Sequence, residues 1–138
     1  KGYSEEAERE VRKGLAVAES NEELALARDS LARILIRGKR YEEGVAELAL
    51  AAELDTENAQ IQYFYGIALN QMKTFKDALP HLEKAHELDP LNTEYLIGLS
   101  TICRDGNERA AALKYAKRAL ELDPTNSDLQ GLVASLEK

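Results

Sequence analysis

The chain contains a single cysteine, no tryptophan and no long hydrophobic run. Because Cys103 has no second cysteine to pair with, an intrachain disulfide is excluded, and this cysteine usage favours a reducing compartment such as the cytoplasm. No apolar stretch approaches the roughly 20 residues that a membrane-spanning helix needs. We therefore predict a chain without a membrane span, held together by packing and not by disulfides.

Positive charge is also scarce. The 138 residues include 18 lysines and arginines against 25 aspartates and glutamates, which gives a formal net charge of -7. Proteins bind a phosphate backbone mainly through an excess of lysine and arginine. The composition therefore predicts that no nucleic acid is a partner of this chain.

Residues that commonly carry chemistry are few and scattered. His81 and His86 are five positions apart, about 140° around a helix axis, so they cannot bind one metal ion. Both are expected at the surface or the groove rim. Cys103 occupies a core position of a predicted helix, where a thiol behaves as a small apolar group. The glycines are dispersed and form no phosphate-binding loop. The sequence therefore predicts no catalytic residue, no metal site and no cofactor.

A repeated helical hairpin organises what the chain does contain. The stretch Ala59–Asn92 carries two apolar stripes at helical spacing, separated by a short turn near residue 73. Its ending, Leu88–Asn92, recurs 34 residues later as Leu122–Asn126 and 34 residues earlier as Leu54–Asn58. A fixed period of this length is typical of stacked repeats.

These residues resemble the tetratricopeptide repeat, a 34-residue helix-turn-helix unit with the signature W-x2-L-G-x2-Y, A-x3-F and P. The central unit matches best, at the positions Tyr65, Gly66, Leu69, Ala78, Leu82 and Pro90. The tryptophan is absent from every unit, and Thr56 stands where the first full unit should have its proline.

The resemblance implies an all-α fold, a right-handed superhelical solenoid of antiparallel helix pairs with about eight helices. We expect one domain over residues 1–138: the second helix of a partial repeat in 1–21, three repeats in 22–58, 59–92 and 93–126, and a capping helix in 127–138. The half repeat at the start suggests a piece of a longer array. Gly38 and Gly106 are expected to end their helices in the left-handed conformation.

The family also implies a function, because the first helices of its repeats line a concave groove that binds peptide or protein segments. Carried over position by position, the predicted groove residues are Arg33, Arg37, Tyr63, Ile67, Asn70, Ile97, Thr101 and Arg104. Tyr63, Ile67 and Ile97 would form an apolar strip, with the three arginines at its edges. Alternatively, Tyr63 and Ile67 are covered by the next repeat and serve only for packing.

Some members of this family hold the C-terminal carboxylate of heat-shock chaperones with a set of lysine, asparagine and arginine side chains. Here those positions are occupied by Asp29, Arg33, Phe64, Glu94 and Gly98. Since two of them are acidic and none matches, we predict that a chaperone tail is not bound in that way.

Two other functions fit the sequence. The apolar faces at Tyr3–Leu15 and Leu129–Leu136 could stack on other copies of the chain and give a weak homo-oligomer. The chain could also be an accessory region of an enzyme whose catalytic domain lies elsewhere. A non-catalytic protein-binding module is the function that the sequence favours.

Overall fold

The computed structural model describes residues 4–138, and all of its regular structure there is helical. Tyr3, which begins one of the predicted apolar faces, lies outside the described residues. The helices are α1 (Glu5–Val17), α2 (Asn21–Arg37), α3 (Tyr41–Leu54), α4 (Ala59–Gln71), α5 (Phe75–Leu88), α6 (Thr93–Asp105), α7 (Arg109–Leu122) and α8 (Ser127–Glu137). The predicted all-α fold is confirmed, with eight helices over this range.

The asparagine that ends each repeat also begins the next one. The side-chain oxygens of Asn58, Asn92 and Asn126 accept hydrogen bonds from backbone amides in the first turns of α4, α6 and α8. Each asparagine amide nitrogen also lies 3.0–3.5 Å from an oxygen of the aspartate three residues before it. Because an N-cap side chain satisfies an otherwise unpaired amide, this spacing fixes where the first helix of each hairpin begins.

The turn inside each hairpin differs from the prediction. Gly38 and Gly106 have φ angles of -84° and -88°, so neither is left-handed. The left-handed residue is the next one in each hairpin, Lys39, Lys73 or Asn107, with φ between 64° and 65°. Gly106 is needed for space, since a Cβ there would lie 2.5 Å from the ring of Phe75. The prediction of left-handed glycines was wrong because the chain takes the left-handed conformation one position after each glycine.

The helices pack as a linear series of hairpins. The most extensive contacts are within the pairs α2–α3, α4–α5 and α6–α7, and each pair contacts the next through α3–α4 and α5–α6. Buried side chains form a chain of small clusters between neighbouring helices. This distribution is what a solenoid produces, since each repeat buries its apolar face against its neighbours.

The two terminal helices are packed to different degrees. α1 lies against α2 and has no fully buried residue, and Glu8 anchors it through an ion pair of 2.8 Å to Arg40. α8 buries Leu129, Val133 and Leu136 against the last hairpin. Arg109 donates hydrogen bonds to the carbonyls of Ser135 and Lys138 at the end of α8. The apolar face of α8 is therefore used within the chain.

Candidate functional site

The first helices of the three hairpins, α2, α4 and α6, contact one another through side chains. The Arg33 guanidinium of α2 lies 4.8 Å from the ring centre of Phe64 in α4. The ring of Tyr63 lies 5.0 Å from that of Tyr95 in α6. Asn70 donates a hydrogen bond of 2.9 Å to the Asp105 carboxylate at the end of α6. The predicted groove positions therefore lie on three helices that face each other in series.

A pocket of about 260 Å³ lies between α2 and α4. Its walls are mostly apolar, and two guanidinium groups lie at its edge. The residues that line it are Arg33, Ile36, Arg37, Phe64, Ile67, Ala68 and Gln71. The structure thus brings together three predicted groove residues, Arg33, Arg37 and Ile67, around one cavity that would hold a single apolar side chain.

Arg33 is held in place from two sides. One guanidinium nitrogen lies 2.9 Å from Oδ2 of Asp29, a fully buried carboxylate one turn earlier, while Phe64 supports the guanidinium from α4. Burial raises the pKa of Asp29, and the charge of Arg33 opposes that effect only in part. No donor in the described part of the chain makes a hydrogen bond of good geometry to the Asp29 oxygens. The Arg33 guanidinium is therefore preorganised at the pocket edge.

Tyr63 and Ile67 lie at the joint between α4 and α6, and each is half-buried. A Cβ placed on Gly98 would lie 3.0 Å from Cε1 of Tyr63 and 3.6 Å from Cδ1 of Ile67, so both side chains pack on this glycine. Burial, followed by the charge of Glu94, raises the pKa of the Tyr63 hydroxyl. Both side chains therefore pack between repeats and still keep part of their surface exposed.

The remaining predicted residues are spread along the third hairpin. Ile97 is half-buried against the cluster of Leu96, Ala119 and Leu129, so it lies at the joint with α8 and not at the joint that holds Tyr63. Thr101 is half-buried on α6, and the exposed Arg104 lies 3.5 Å from the Asp105 carboxylate. The structure thus divides the predicted apolar strip between two successive joints.

Phe64 and Ala68 line the pocket but were not among the predicted peptide-groove residues, because their spacing fits the buried stripe of α4. For Phe64 a signal was present, since the family resemblance puts it at one of the positions that hold a chaperone carboxylate in other members.

The two histidines and the cysteine lie outside this groove. His81 is part-buried, with Nδ1 2.8 Å from Oε1 of Gln62 and its ring 4.1 Å from that of Tyr65. The sequence had predicted a position at the surface or the groove rim. Burial lowers the pKa of His81. Cys103 is 2% exposed, and burial raises the pKa of its thiol, which suits inert packing.

Within the described residues, no three histidine, cysteine, aspartate or glutamate side chains are grouped closely enough to hold a metal ion. Over the same residues, none of the helices combines the length and apolar character needed to span a bilayer.

Comparisons of sequence and of structure relate the chain to tetratricopeptide repeat proteins. Residues 69–136 match the family model described as tetratricopeptide repeat. A comparison with curated protein sequences gives no match. Three similar solved structures, all at or below 20% identity, share the fold.

MamA from Desulfovibrio magneticus RS-1, residues 41 to the end, is 20% identical with a TM-score of 0.85, covering 96% of this chain and 73% of that one. The Arabidopsis OM64 TPR domain is 20% identical with a TM-score of 0.78, covering 85% and 97%. The first TPR of Spaghetti (RPAP3), bound to the HSP90 peptide SRMEEVD, is 18% identical with a TM-score of 0.78, covering 87% and 94%.

The helix pairs, their 34-residue register and these matches define a helical repeat protein of the solenoid class. Residues 69–136 belong to the tetratricopeptide repeat family, whose domains are protein-interaction modules and generally non-catalytic, and the chain as a whole has the fold of such domains.

Proposed function

We propose that this chain is a non-catalytic module that binds a protein segment along α2, α4 and α6. The observation that carries the proposal is the apolar pocket between α2 and α4, which two predicted groove arginines border. An apolar side chain of the ligand would enter between Ile67 and Phe64. Burial of one leucine-sized side chain contributes roughly 1.5–3 kcal/mol, enough to serve as an anchor.

The charges at the pocket edge favour an acidic residue next to this anchor. Arg33 is stacked on Phe64 and partly neutralised by Asp29, and the exposed Arg37 also lines the pocket. A guanidinium beside an apolar pocket binds carboxylates in a defined orientation. The ligand class that fits is therefore a segment in which one aliphatic or aromatic side chain has an aspartate or glutamate next to it.

The structure of the Spaghetti (RPAP3) domain with an HSP90 peptide supports peptide binding by this fold in general. The corresponding carboxylate-binding positions of this chain differ. Asp29 is buried and engaged with Arg33, Glu94 is exposed, and Gly98 carries no side chain. We therefore expect this chain to bind an internal acidic segment in preference to a free chaperone C-terminus.

The test is selection of a displayed library of random 12-residue peptides on the whole chain, followed by affinity measurements on the enriched peptides. We expect a class with an apolar residue beside an acidic one. Its affinity for Arg37→Glu should fall about tenfold or more, since reversing one rim charge replaces attraction by repulsion.

Arg104→Glu is an informative second variant, because Arg104 is also a predicted groove residue but lies on the third hairpin. A peptide that spans the groove loses affinity for both variants, whereas one confined to the pocket loses it only for Arg37→Glu. If every enriched peptide binds both folded variants as tightly as the natural chain, these helices are not the binding surface.

A second candidate function, self-association, is favoured by apolar exposure near the first hairpin. Val17 is 72% exposed at the end of α1, and Leu26 is 49% exposed on α2. A mass that rises with concentration in sedimentation experiments, and that Leu26→Glu reduces to the monomer, would support weak association through this face.

A further inference from the structure

A second cleft lies among the later helices, away from the proposed groove. It encloses about 720 Å³ and is lined by residues of α5, α6 and α7. None of its lining residues is shared with the pocket between α2 and α4. Leu113 and Tyr115, which are both half-buried, supply apolar surface, and the fully buried Leu96 lies behind them. A ligand here would occupy a surface that the proposed groove does not use.

The charge of this cleft is opposite to that of the whole chain. Lys114, Lys117 and Arg118 line it and are exposed, against one carboxylate, Glu121, in the same lining. The chain as a whole carries a formal net charge of -7. A local group of cations on an acidic protein creates a field that attracts negatively charged partners.

These cations differ in how they are engaged. Arg118 lies 3.1 Å from the Glu121 carboxylate, and Lys117 lies 3.5 Å from Glu137 of α8. Lys114 has no carboxylate within ion-pair distance in residues 4–138. All these side chains are solvent-exposed, so their ion pairs are weak and exchange readily for a ligand carboxylate.

His86 and Tyr115 contribute two rings to the lining of the cleft. The His86 ring lies edge-on to Tyr115, with 6.5 Å between the ring centres. Its Nδ1 atom is shielded from solvent, so a ligand in the cleft would contact other atoms of the ring.

We propose that this cleft is a second docking site, which binds an acidic protein segment carrying one apolar anchor. The anchor packs on Leu113 and Tyr115, and flanking carboxylates pair with Lys114 and Lys117. Two protein segments could then be held by one chain, one on each surface. The apolar surface of Leu113 and Tyr115 distinguishes this site from a simple phosphate-binding patch, which needs only positive charge.

The same 12-residue peptide library tests the proposal, with selection on the natural chain and on the double variant Lys114→Glu with Lys117→Glu. We expect a peptide class with at least two acidic residues and one leucine or aromatic residue. Its affinity should fall about tenfold or more in the double variant and weaken as salt is raised. It should be unchanged in Arg37→Glu, which separates this site from the proposed groove.

Thermal unfolding monitored by circular dichroism checks that the double variant is folded, and Lys114→Gln replaces it if it is not. The proposal is wrong if no acidic class is enriched, if that class binds the charge-reversed chain equally, or if Arg37→Glu removes its binding. It is also wrong if single-stranded poly-uridine binds the cleft more tightly than the peptides do.

Discussion

At the scale of single residues, neighbouring helices can approach closely because Gly66 and Gly98 have no side chain. Leu82 of α5 is fully buried, and its two methyl groups lie over Gly66 of α4 and Gly98 of α6. A Cβ at Gly66 would lie 2.3 Å from Cδ2 of Leu82 and 3.1 Å from the carbonyl oxygen of Ala78. One leucine thus fills the space that two glycines in successive repeats leave open.

Gly66→Ala should therefore destabilise the chain, by about 1–3 kcal/mol from overpacking, partly offset by the better helix propensity of alanine. Gly131→Ala is the matched control, since Gly131 lies in α8 with no atom within 4 Å of an added Cβ. This second change should stabilise the chain by up to about 1 kcal/mol. Urea unfolding measures both, and a shift of the same sign in the two variants would contradict the packing described.

At the scale of helices, α4 and α5 are joined by a polar group inside an otherwise apolar hairpin. His81 of α5 contacts Gln62 and Tyr65 of α4, and the Gln62 amide also donates to the carbonyl of Thr56. Since the Gln62 oxygen can only accept, His81 donates through Nδ1. Burial lowers the pKa of His81 below its ordinary 6.5, although the charge of Asp77 acts in the opposite direction.

This pKa predicts a pH dependence of stability. The unfolded chain binds a proton at His81 more readily than the folded chain does, so unfolding takes up protons as the pH falls through 6.5. The stability that neutral His81 contributes is therefore complete above pH 6.5 and decreases below it. His81→Gln keeps a hydrogen-bonding side chain and removes the titration.

The measurement is the free energy of unfolding of both proteins at about pH 7.5 and about pH 5.5. The natural chain should lose more stability than His81→Gln between these values. Equal losses would mean that His81 has the same pKa in the folded and unfolded chain.

At the scale of the whole molecule, stability should be distributed locally, because each hairpin contacts only its neighbours. α8 covers the last hairpin through three buried side chains, Leu129, Val133 and Leu136. Removing residues 127–138 should expose the apolar face of α7 and speed amide hydrogen exchange in α6 and α7. Exchange in α2 and α3 should be unchanged.

Hydrogen exchange measured by mass spectrometry resolves these segments. Ser135→Ala serves as the control, since its exposed side chain can be removed while the backbone carbonyl that accepts from Arg109 remains. Uniform acceleration across all helices after the truncation would show that the chain unfolds as one cooperative unit.

The sequence predicts most of this fold, because short motifs that recur every 34 residues set the repeat register. The spacing of Asn58, Asn92 and Asn126 locates three helix starts, and the apolar stripes give the helices between them. The turn conformation was missed, since Gly38 and Gly106 suggested a left-handed position that Lys39 and Asn107 occupy instead. A lysine in this conformation is rare enough that residue preference alone points elsewhere.

The candidate site was predictable only in part. Position within the repeat places Arg33, Arg37 and Ile67 on one face. The shape of a cavity, however, depends on the sizes of the side chains that pack between neighbouring helices. The pocket combines Phe64 of α4 with Arg33 and Arg37 of α2, and the second cleft combines residues of α5, α6 and α7. Neither arrangement follows from spacing along one helix, so Lys114 and Lys117 look like ordinary surface in the sequence.

The serial arrangement of the hairpins also gives the molecule a mechanical character. α2, α4 and α6 are supported by α3 and α5, and the contacts run from one pair to the next along the chain. We expect small rotations between successive hairpins to accumulate along the array, so that the distance between Arg33 and Arg104 is easier to change than the geometry within one hairpin. A long ligand that contacts both arginines would then alter the curvature of the array, whereas a ligand bound in one pocket would leave it unchanged.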